Sequence, residues 1–587
     1  MAAPRPTSMS RLSERFLARR RALHSAYAAL SGLPDASRLA YLHGPEQRWT
    51  EAEVADMWRR ARPTIDGARQ PANHLYVHVP FCKSICSFCN YERLRPSHPA
   101  LLRSYVDRVK RSIETLGPAV EHLTFHTLYI GGGTPSVLPT GLLAELVDAI
   151  HAGFDFHPRA GHRFEFDPAV MTAERFDVLE QRAPFHYSFG VQTLDASVNL
   201  AHGRGAQSHQ LVARRFAEME ARGIREVSVD FLMGLAGTTP ARLFADIETV
   251  LEQHGPHSVD IFMLTPTHDY VGSHFGGSFE AFWDHIRPFE AQVGPWMQRV
   301  AARHGYRVQV GQGHHLVLSR KAHTRRERDT GAFSYTQLAS EQDQPINLLG
   351  LGPSARAHIW GQAILQTQNP PEGARPDAPA VYSGSAMTMA DEQRTYLAHH
   401  LRDRDDVDRT VLQEIFGHDI AELAPVAVAG WQADGVASLD ESALVFAPQA
   451  RRERTRSLLW LVPDAALEHA VARHHGIDLR AETLRHCIRP LREGSPLHGG
   501  ITLGSISFGR YTLMLPGGEA LGIRAAPVLD DDRSPPRLIV EGALPASLHD
   551  AARKSVLRLT ALVRRNHPVL VHAAQRSPAP SPRHGEG

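Results

Sequence analysis

The chain has 587 residues, too many for one ordinary domain, with the apolar and charged fractions of a globular protein. Its 64 Lys and Arg nearly balance 63 Asp and Glu, for a net charge of +1, which carries no nucleic-acid signature and no polybasic membrane anchor. No stretch approaches the roughly 20 apolar residues of a membrane span, and the Arg-rich N-terminus has no apolar core of signal-peptide length. Only four cysteines argue for a reducing compartment, so the cytoplasm is the expected location.

Residues 1–70 read as a helical arm over the core domain. Ser10–Leu30 has apolar positions at helical spacing, and Thr50–Ala61 opens on Thr50 as N-cap before Glu51 and Glu53. From about 73 to 270 short strands alternate with amphipathic helices. The expected strands are Leu75–Val79, Thr127–Ile130, Arg163–Phe166, His186–Val191, Glu226–Leu232 and Val259–Leu264. The expected helices include Leu142–His151, Ala173–Gln181, Gln207–Arg222 and Ala241–His254. Strand then helix, about six times, predicts an α/β fold with a parallel sheet covered by helices. An open sheet and a curved partial barrel share that signature. In both, ligands gather at the C-terminal ends of the strands.

Chemistry-bearing residues fall at those ends. After the apolar run 75–81 comes Cys82–Lys83–Ser84–Ile85–Cys86–Ser87–Phe88–Cys89, a C-x3-C-x2-C loop with three of the four cysteines. Three thiolates on one tight loop can hold three irons of a cubane cluster and leave the fourth open to a small molecule. A zinc site usually wants four ligands in C-x2-C pairs, and no second pair exists. Three cysteines on a short loop make no sensible set of disulfides. Gly131–Gly132–Gly133–Thr134–Pro135 follows the next strand, where glycines let the backbone approach a ligand. Glu165 ends the third strand, in Phe164–Glu165–Phe166–Asp167–Pro168. Ser188–Phe189–Gly190–Val191–Gln192 ends the fourth, with Arg204 twelve residues on. Val229–Asp230–Phe231–Leu232–Met233–Gly234–Leu235 ends the fifth.

Beyond residue 270 the pattern weakens. Trp296–Gly305 reads as helix, Tyr306–Gly311 as strand, and Asn347–Ala355 as a glycine-rich turn. Helices Glu392–Leu401, Arg409–Gly417 and Val426–Gly435 precede Ala443–Phe446. Ile501–Leu515 alternates toward a turn at Pro516–Gly518. Ala520–Val528 and Pro536–Glu541 add strands, and Leu548–Asn566 an amphipathic helix capped by Ser547. The tail from Gln575 is Pro, Ser and charge, expected to be disordered. Cys487 reads as a buried or idle thiol, and His314–His315, His399–His400 and His474–His475 as surface or core histidines.

The cysteine loop, the preceding Tyr76–Val77–His78–Val79–Pro80–Phe81 and the ordered strand-end motifs resemble the radical S-adenosylmethionine (SAM) superfamily. The branch is that of the oxygen-independent coproporphyrinogen III oxidases, their haem-chaperone relatives and related radical SAM methyltransferases. The resemblance covers roughly 71–460. It implies a partial (β/α)6 TIM-type barrel over 71–385, with its extension. It also implies a C-terminal helical domain over 386–480; beyond the resemblance, the pattern alone reads as an α+β accessory module over 481–575 and a tail over 576–587. The resemblance further implies a [4Fe–4S] cluster on Cys82, Cys86 and Cys89, and one or two molecules of SAM. An electron from a donor such as flavodoxin or ferredoxin would cleave SAM to methionine and a 5′-deoxyadenosyl radical, which takes hydrogen from an unactivated carbon. By the same resemblance Gly132, Gly133, Thr134 and Glu165 hold the SAM amino group, and Arg204 its carboxylate. Gln192 bonds the ribose or carboxylate and Asp230 the ribose hydroxyls. Phe88 packs on adenine, the Tyr91 backbone binds the adenine amine, and Tyr76 lies against SAM.

Departures from the family pattern point to a different substrate. Ala236–Gly237–Thr238–Thr239 replaces Pro-Gly-Gln-Thr, and Tyr306–Gly313 lacks the Glu and Asn of Tyr-Glu-Ile-Ser-Asn. Arg356 stands where His follows Gly-Leu-Gly-x-x-Ala. Tyr91 occupies the position of a further cysteine in the porphyrinogen decarboxylases. The expected activity is C-methylation or a related C–C bond reaction on a small molecule or peptide. The alternatives are a porphyrin- or haem-directed enzyme, and a haem chaperone. The accessory module is expected to contribute substrate or partner contacts, or else to cap the barrel.

Overall fold

The structure, a computed structural model, describes residues 16–18, 20–22, 24–25, 47–61, 71–91, 93–310, 315–320, 344–368, 379–447, 454–464, 467, 491, 494–507, 510–526, 537–541 and 546–566. Strand β1 (Gln47–Thr50) leads into the helix Glu51–Arg59, which Thr50 caps in a reciprocal capping box with Glu53. Then come β2 (Ala72–Val79), β3 (Thr124–Gly132), β4 (Asp155–Phe166), β5 (Phe185–Gln192), β6 (Val227–Met233) and β7 (Ser258–Met263). They pair in that order, all parallel. Helices Pro99–Leu116, Thr140–Gly153, Ala173–Glu180, His209–Ala221 and Pro240–His254 lie between them. This is the expected partial (β/α)6 barrel.

The strands alternate with period two, as a pleat requires. Leu75, Val77 and Val79 of β2, Leu128 and Ile130 of β3, and Val229 and Phe231 of β6 join the main core with the helices. The intervening positions are polar: His74, Tyr76 and His78; Thr127 and Tyr129; Arg163 and Glu165; His186 and Ser188; Ser228 and Asp230; Ser258 and Asp260. One face of the sheet therefore makes the core and the other a polar interior.

The sheet runs to thirteen strands. Beyond β7 lie β8 (Tyr306–Val310) and β9 (His315–Arg320), with β9 antiparallel to β7. On the other flank β10 (Ile346–Leu351) pairs parallel with β2. Then β11 (Arg356–Ile359), β12 (Ala363–Thr367) and β13 (Val381–Ala386) follow antiparallel, and β1 closes this edge against β13.

Several expectations need correction. Residues 47–50 are a strand, because β13 offers them an edge, so 1–70 is not wholly a helical arm. The described residues between 16 and 25 pack on the C-terminal domain instead of the barrel: Leu17 sits in its core, and Arg21 bonds Asp434 at 2.6 Å. Residues 346–351 form the buried strand β10; only the residues after it turn. The helix expected over 296–305 begins at Phe279 and runs to His304, passing Pro288 and Pro295.

The C-terminal domain has helices Met389–Asp403, Arg409–Phe416, Ile420–Leu423 and Pro425–Ala433. It adds a small sheet of β14 (Asp406–Asp408), β15 (Ala437–Leu439) and β16 (Ala443–Phe446). The accessory module is an antiparallel meander of β17 (Thr502–Ser507), β18 (Arg510–Met514), β19 (Ala520–Ala526) and β20 (Arg537–Glu541). Its helix His549–Asn566 helps build a separate core with Ile501, Leu513 and Val556. Ser547 lies in a 3-10 turn, Ala546–Leu548, instead of directly preceding the helix. Cys487, His314, His474, His475 and the tail from 576 lie outside the described residues.

Candidate functional site

The thiol loop leaves the C-terminal end of β2. Leu94 ties it back: its N–H donates to Pro80 O at 2.7 Å, and its carbonyl accepts from Cys82 N–H at 3.0 Å. All three thiols are free and half-buried. Burial pushes the Cys82 and Cys89 thiols up, with Thr134 opposing it at Cys82 and Arg93 at Cys89. The loop lies against the end of β3. Gly133 N–H donates to Val79 O at 2.7 Å. A Cβ on Gly133 would fall 2.7 Å from Phe81 O and 3.1 Å from Cys82 Sγ, so only glycine allows this approach. Thr134 Oγ1 stands 3.6 Å from Cys82 Sγ.

Glu165, at the end of β4, is not idle. Its carboxylate accepts from Gly132 N–H at 2.9 Å and from the Tyr129 hydroxyl. Gly132 has φ 110°, and a Cβ there would strike the His78 ring. Tyr76 bonds His78 Nδ1 at 2.7 Å, with its ring 5.8 Å from that of Tyr129. The glycine run, Glu165 and Tyr76 thus converge on one end of the barrel.

Gln192 ends β5 with φ 62°, in the left-handed region that a side chain rarely adopts. Such strain, here at a break in the β5–β6 register, clusters at ligand sites. Arg204 is half-buried: its guanidinium donates to Gly190 O at 2.9 Å and Gln207 at 2.7 Å, and reaches Cys86 Sγ at 3.8 Å. Asp167 lies 3.5 Å away. Phe88 is half-buried against the apolar cluster that includes Val198, Leu235 and Tyr270, with its ring edge-on to His202 at 6.1 Å. Tyr91 is 66% exposed, on the rim, where Glu165, Arg356 and Asp230 act on its phenol. Its carbonyl already accepts from Arg93 at 2.8 Å, leaving one lone pair. The departure at Ala236–Thr239 does no harm locally, since Thr239 caps the next helix.

The polar interior holds residues that sequence reasoning missed. Asp230 stands in register with Asp260 on β7. Asp260 Oδ1 lies 2.7 Å from His315 Nε2, and Oδ2 accepts from Ser258 at 3.1 Å. From there hydrogen bonds run through Ser228 at 2.6 Å to His186 at 2.6 Å. His315, by sequence a surface or core histidine, meets a partner 55 positions away to which no local signal links it. Burial opposes ionisation of Asp260, but His315 and Arg163 outweigh it and hold its carboxyl low. Burial, with Asp260 and Glu165 nearby, raises Asp230 to about 7. The two carboxyls are pushed apart, Asp230 upward and Asp260 downward, so Asp230 is the one that takes up a proton first as pH falls.

That asymmetry has a stability consequence. A carboxyl raised above its unfolded value near 3.9 costs nothing below about pH 4, where both states are protonated, and destabilises progressively as pH climbs from there toward 7, because the unfolded chain ionises first. Asp230→Asn removes the cost. In thermal unfolding of cofactor-free protein, the variant should melt above the parent at pH 8, with the gap closing toward pH 4. Parallel pH profiles would refute the assignment.

Residues 76–250 match the family model of the Radical SAM superfamily. This stretch of the chain carries a radical SAM domain, and the cofactors of that superfamily are a [4Fe–4S] cluster and SAM. Within it, the relatives include the oxygen-independent coproporphyrinogen III oxidase of Cereibacter sphaeroides, 32% identical over 181 residues, or 30% of this chain and 39% of that protein. The heme chaperone HemW of Lactococcus lactis is 30% identical over 189 residues, or 32% and 48%. The matched stretch spans less than half of either relative. The solved structure of coproporphyrinogen III oxidase HemN from Escherichia coli, a radical SAM enzyme, aligns with TM-score 0.57 at 19% identity, covering 70% of this chain and 94% of that one. It shares the barrel fold. Among the described residues, no helix is long and apolar enough to cross a membrane.

Proposed function

We propose that this protein is a radical SAM enzyme that starts carbon-centred radical chemistry on a small molecule, ending in C-methylation or a related C–C bond step. One observation carries the reading. Three free thiols on one loop, seated against Gly133, face the same strand ends as Glu165, Gln192, Arg204 and Asp230. The soft, all-sulfur donor set suits iron–sulfur ligation. Among the described residues, no three His, Cys, Asp or Glu side chains close on a single ion.

When bound, the cluster and SAM supply the one-electron chemistry that generates a carbon radical. The chain's own residues bind, orient and handle protons. Cys82, Cys86 and Cys89 would hold the cluster. Glu165, with the backbone at Gly132, Gly133 and Thr134, would take the SAM amine, and Arg204, beside Cys86, its carboxylate. Gln192 and Asp230 would meet the ribose, Phe88 and the free lone pair of Tyr91 O the adenine, and Tyr76 would line the floor. His315, anchored through Nε2 on Asp260, keeps Nδ1 for a substrate proton.

A second reading, a porphyrin-directed oxidase or haem chaperone, rests on the relatives' names. Tyr91 on the rim, where a decarboxylase would carry cysteine, and Arg356 beside it favour the first. The test is anaerobic, iron-loaded protein with SAM and dithionite, or flavodoxin or ferredoxin as donor. 5′-Deoxyadenosine should form, and methyl-labelled SAM should pass label to a candidate substrate while coproporphyrinogen III stays intact. Iron-loaded protein that makes no 5′-deoxyadenosine would remove the enzyme reading. Decarboxylation of coproporphyrinogen III would replace the first reading by the second.

A further inference from the structure

Ser87 lies between Cys86 and Cys89, and two other segments of the chain meet it there. Its Oγ is 2.8 Å from His202 Nδ1 and 3.1 Å from His274 Nε2. His202 follows the helix Ala196–Ala201, and His274 ends the helix His268–His274. One fixed acceptor sets the direction of the bonds. His202 Nε2 is 3.0 Å from the carbonyl of Ala236, in the loop after β6. A carbonyl can only accept, so Nε2 carries the proton. Burial lowers both histidines and keeps them neutral. His202 Nδ1 is then an acceptor, and the Ser87 hydroxyl donates to it. The serine oxygen in turn accepts from His274 Nε2–H.

The circuit closes on the far side. Ala236 N–H donates to the Tyr270 hydroxyl at 2.8 Å, and Tyr270 shares its helix with His274. The rings of His202 and Tyr270 stack at 5.6 Å, and those of His202 and His274 stand 4.5 Å apart. The backbone adds a direct tie, Ser87 N–H to His202 O at 3.2 Å. Ser87 Oγ carries two of these bonds, one as donor and one as acceptor, so removing the hydroxyl opens the ring and orphans the buried His202 Nδ1 and the half-buried His274 Nε2–H.

We propose that Ser87 is a positioning residue: this hydrogen-bonded ring holds Cys86 and Cys89 in ligand geometry before iron arrives and ties the thiol loop to the helix after β7. The proposal rests on the reading of the thiol loop as the cluster's seat. Supporting side chains of this kind set ligand orientation and tune a bound metal group, and their loss typically costs ten- to a hundredfold in metal affinity.

The experiment uses the full chain, reconstituted anaerobically, with EDTA as chelator. Ser87→Ala should surrender iron about tenfold faster than the parent and show a displaced electron paramagnetic resonance spectrum when reduced. Ser87→Thr, which keeps the hydroxyl, should resemble the parent. His274→Ala, remote from the thiols in sequence, should reproduce the faster loss, and it decides the matter if Ser87→Ala does not load. Parent-like release and spectrum in Ser87→Ala or in His274→Ala would overturn the proposal. So would equal damage in Ser87→Thr, which assigns the effect to loop packing. Iron retained by a Cys86→Ala variant would fell the reading of the loop instead, a distinguishable failure.

Discussion

Cys82→Ala, Cys86→Ala and Cys89→Ala proteins, purified anaerobically, should be colourless and unable to cleave SAM, where the parent is brown with about four irons per chain. Each thiol serves its own iron, and a cluster with one iron already open cannot lose another ligand. Among the described residues no other thiol is at hand: Ser87 is committed to two histidines, and the neighbouring Thr134 offers only a hydroxyl. Because burial raises the Cys82 and Cys89 thiols, and ligation needs thiolates, loading of the parent should also slow as pH falls. Cys487→Ala should keep both colour and activity. Iron analysis decides. A colourless Cys487 variant beside a brown motif variant would reverse the assignment.

Glu165→Ala and Arg204→Ala should each weaken SAM binding about ten- to hundredfold while iron stays in place. Each removes a charge-assisted contact of about 1.5–3 kcal/mol. The geometry makes the two variants unequal. Glu165 already accepts from Gly132 N–H and Tyr129, so truncating it leaves a buried donor unpaired and should lower the melting temperature too. Arg204 braces Gly190 O and Gln207 and lies beside Cys86, so its loss should also disturb the cluster spectrum. Equilibrium dialysis of iron-loaded protein with SAM measures the first effect and thermal unfolding the second. Unchanged SAM affinity in both variants would return these residues to a structural role.

The repeating half of the fold was legible because its signals are local. Leu75, Val77 and Val79 alternate with His74, Tyr76 and His78 within eight residues, and the helix Pro240–His254 shows its apolar face within four turns. The motif residues were legible because they end those strands. What escaped was decided by distant partners. Strand β1 exists because β13 offers an edge more than 300 positions away, and nothing in Gln47–Thr50 announces it. Asn347–Ala355 looked like a turn because of its glycines. Yet Gly350 is needed inside a strand, where a Cβ would fall 2.2 Å from Arg356 O. Pro288 and Pro295 hid the first two-thirds of the long helix, which carries them in its interior. The His315–Asp260 and Ser87–His202 contacts join residues whose proximity only the closed barrel creates.

The pairing of β10 with β2 has a consequence for how the protein is born. Val77 and Leu351 are neighbours in the sheet but lie about 270 positions apart in the chain. At roughly 5–20 residues per second, a ribosome needs on the order of tens of seconds to cover that distance. Throughout that interval the strand leading into the thiol loop lacks its neighbour on one side. An unpaired strand edge invites pairing with other chains. The turn carrying Gly352, which packs against the carbonyl of His78, arrives later still. The sheet around the strand that leads into the thiol loop is therefore complete only once β10 and Gly352 have emerged.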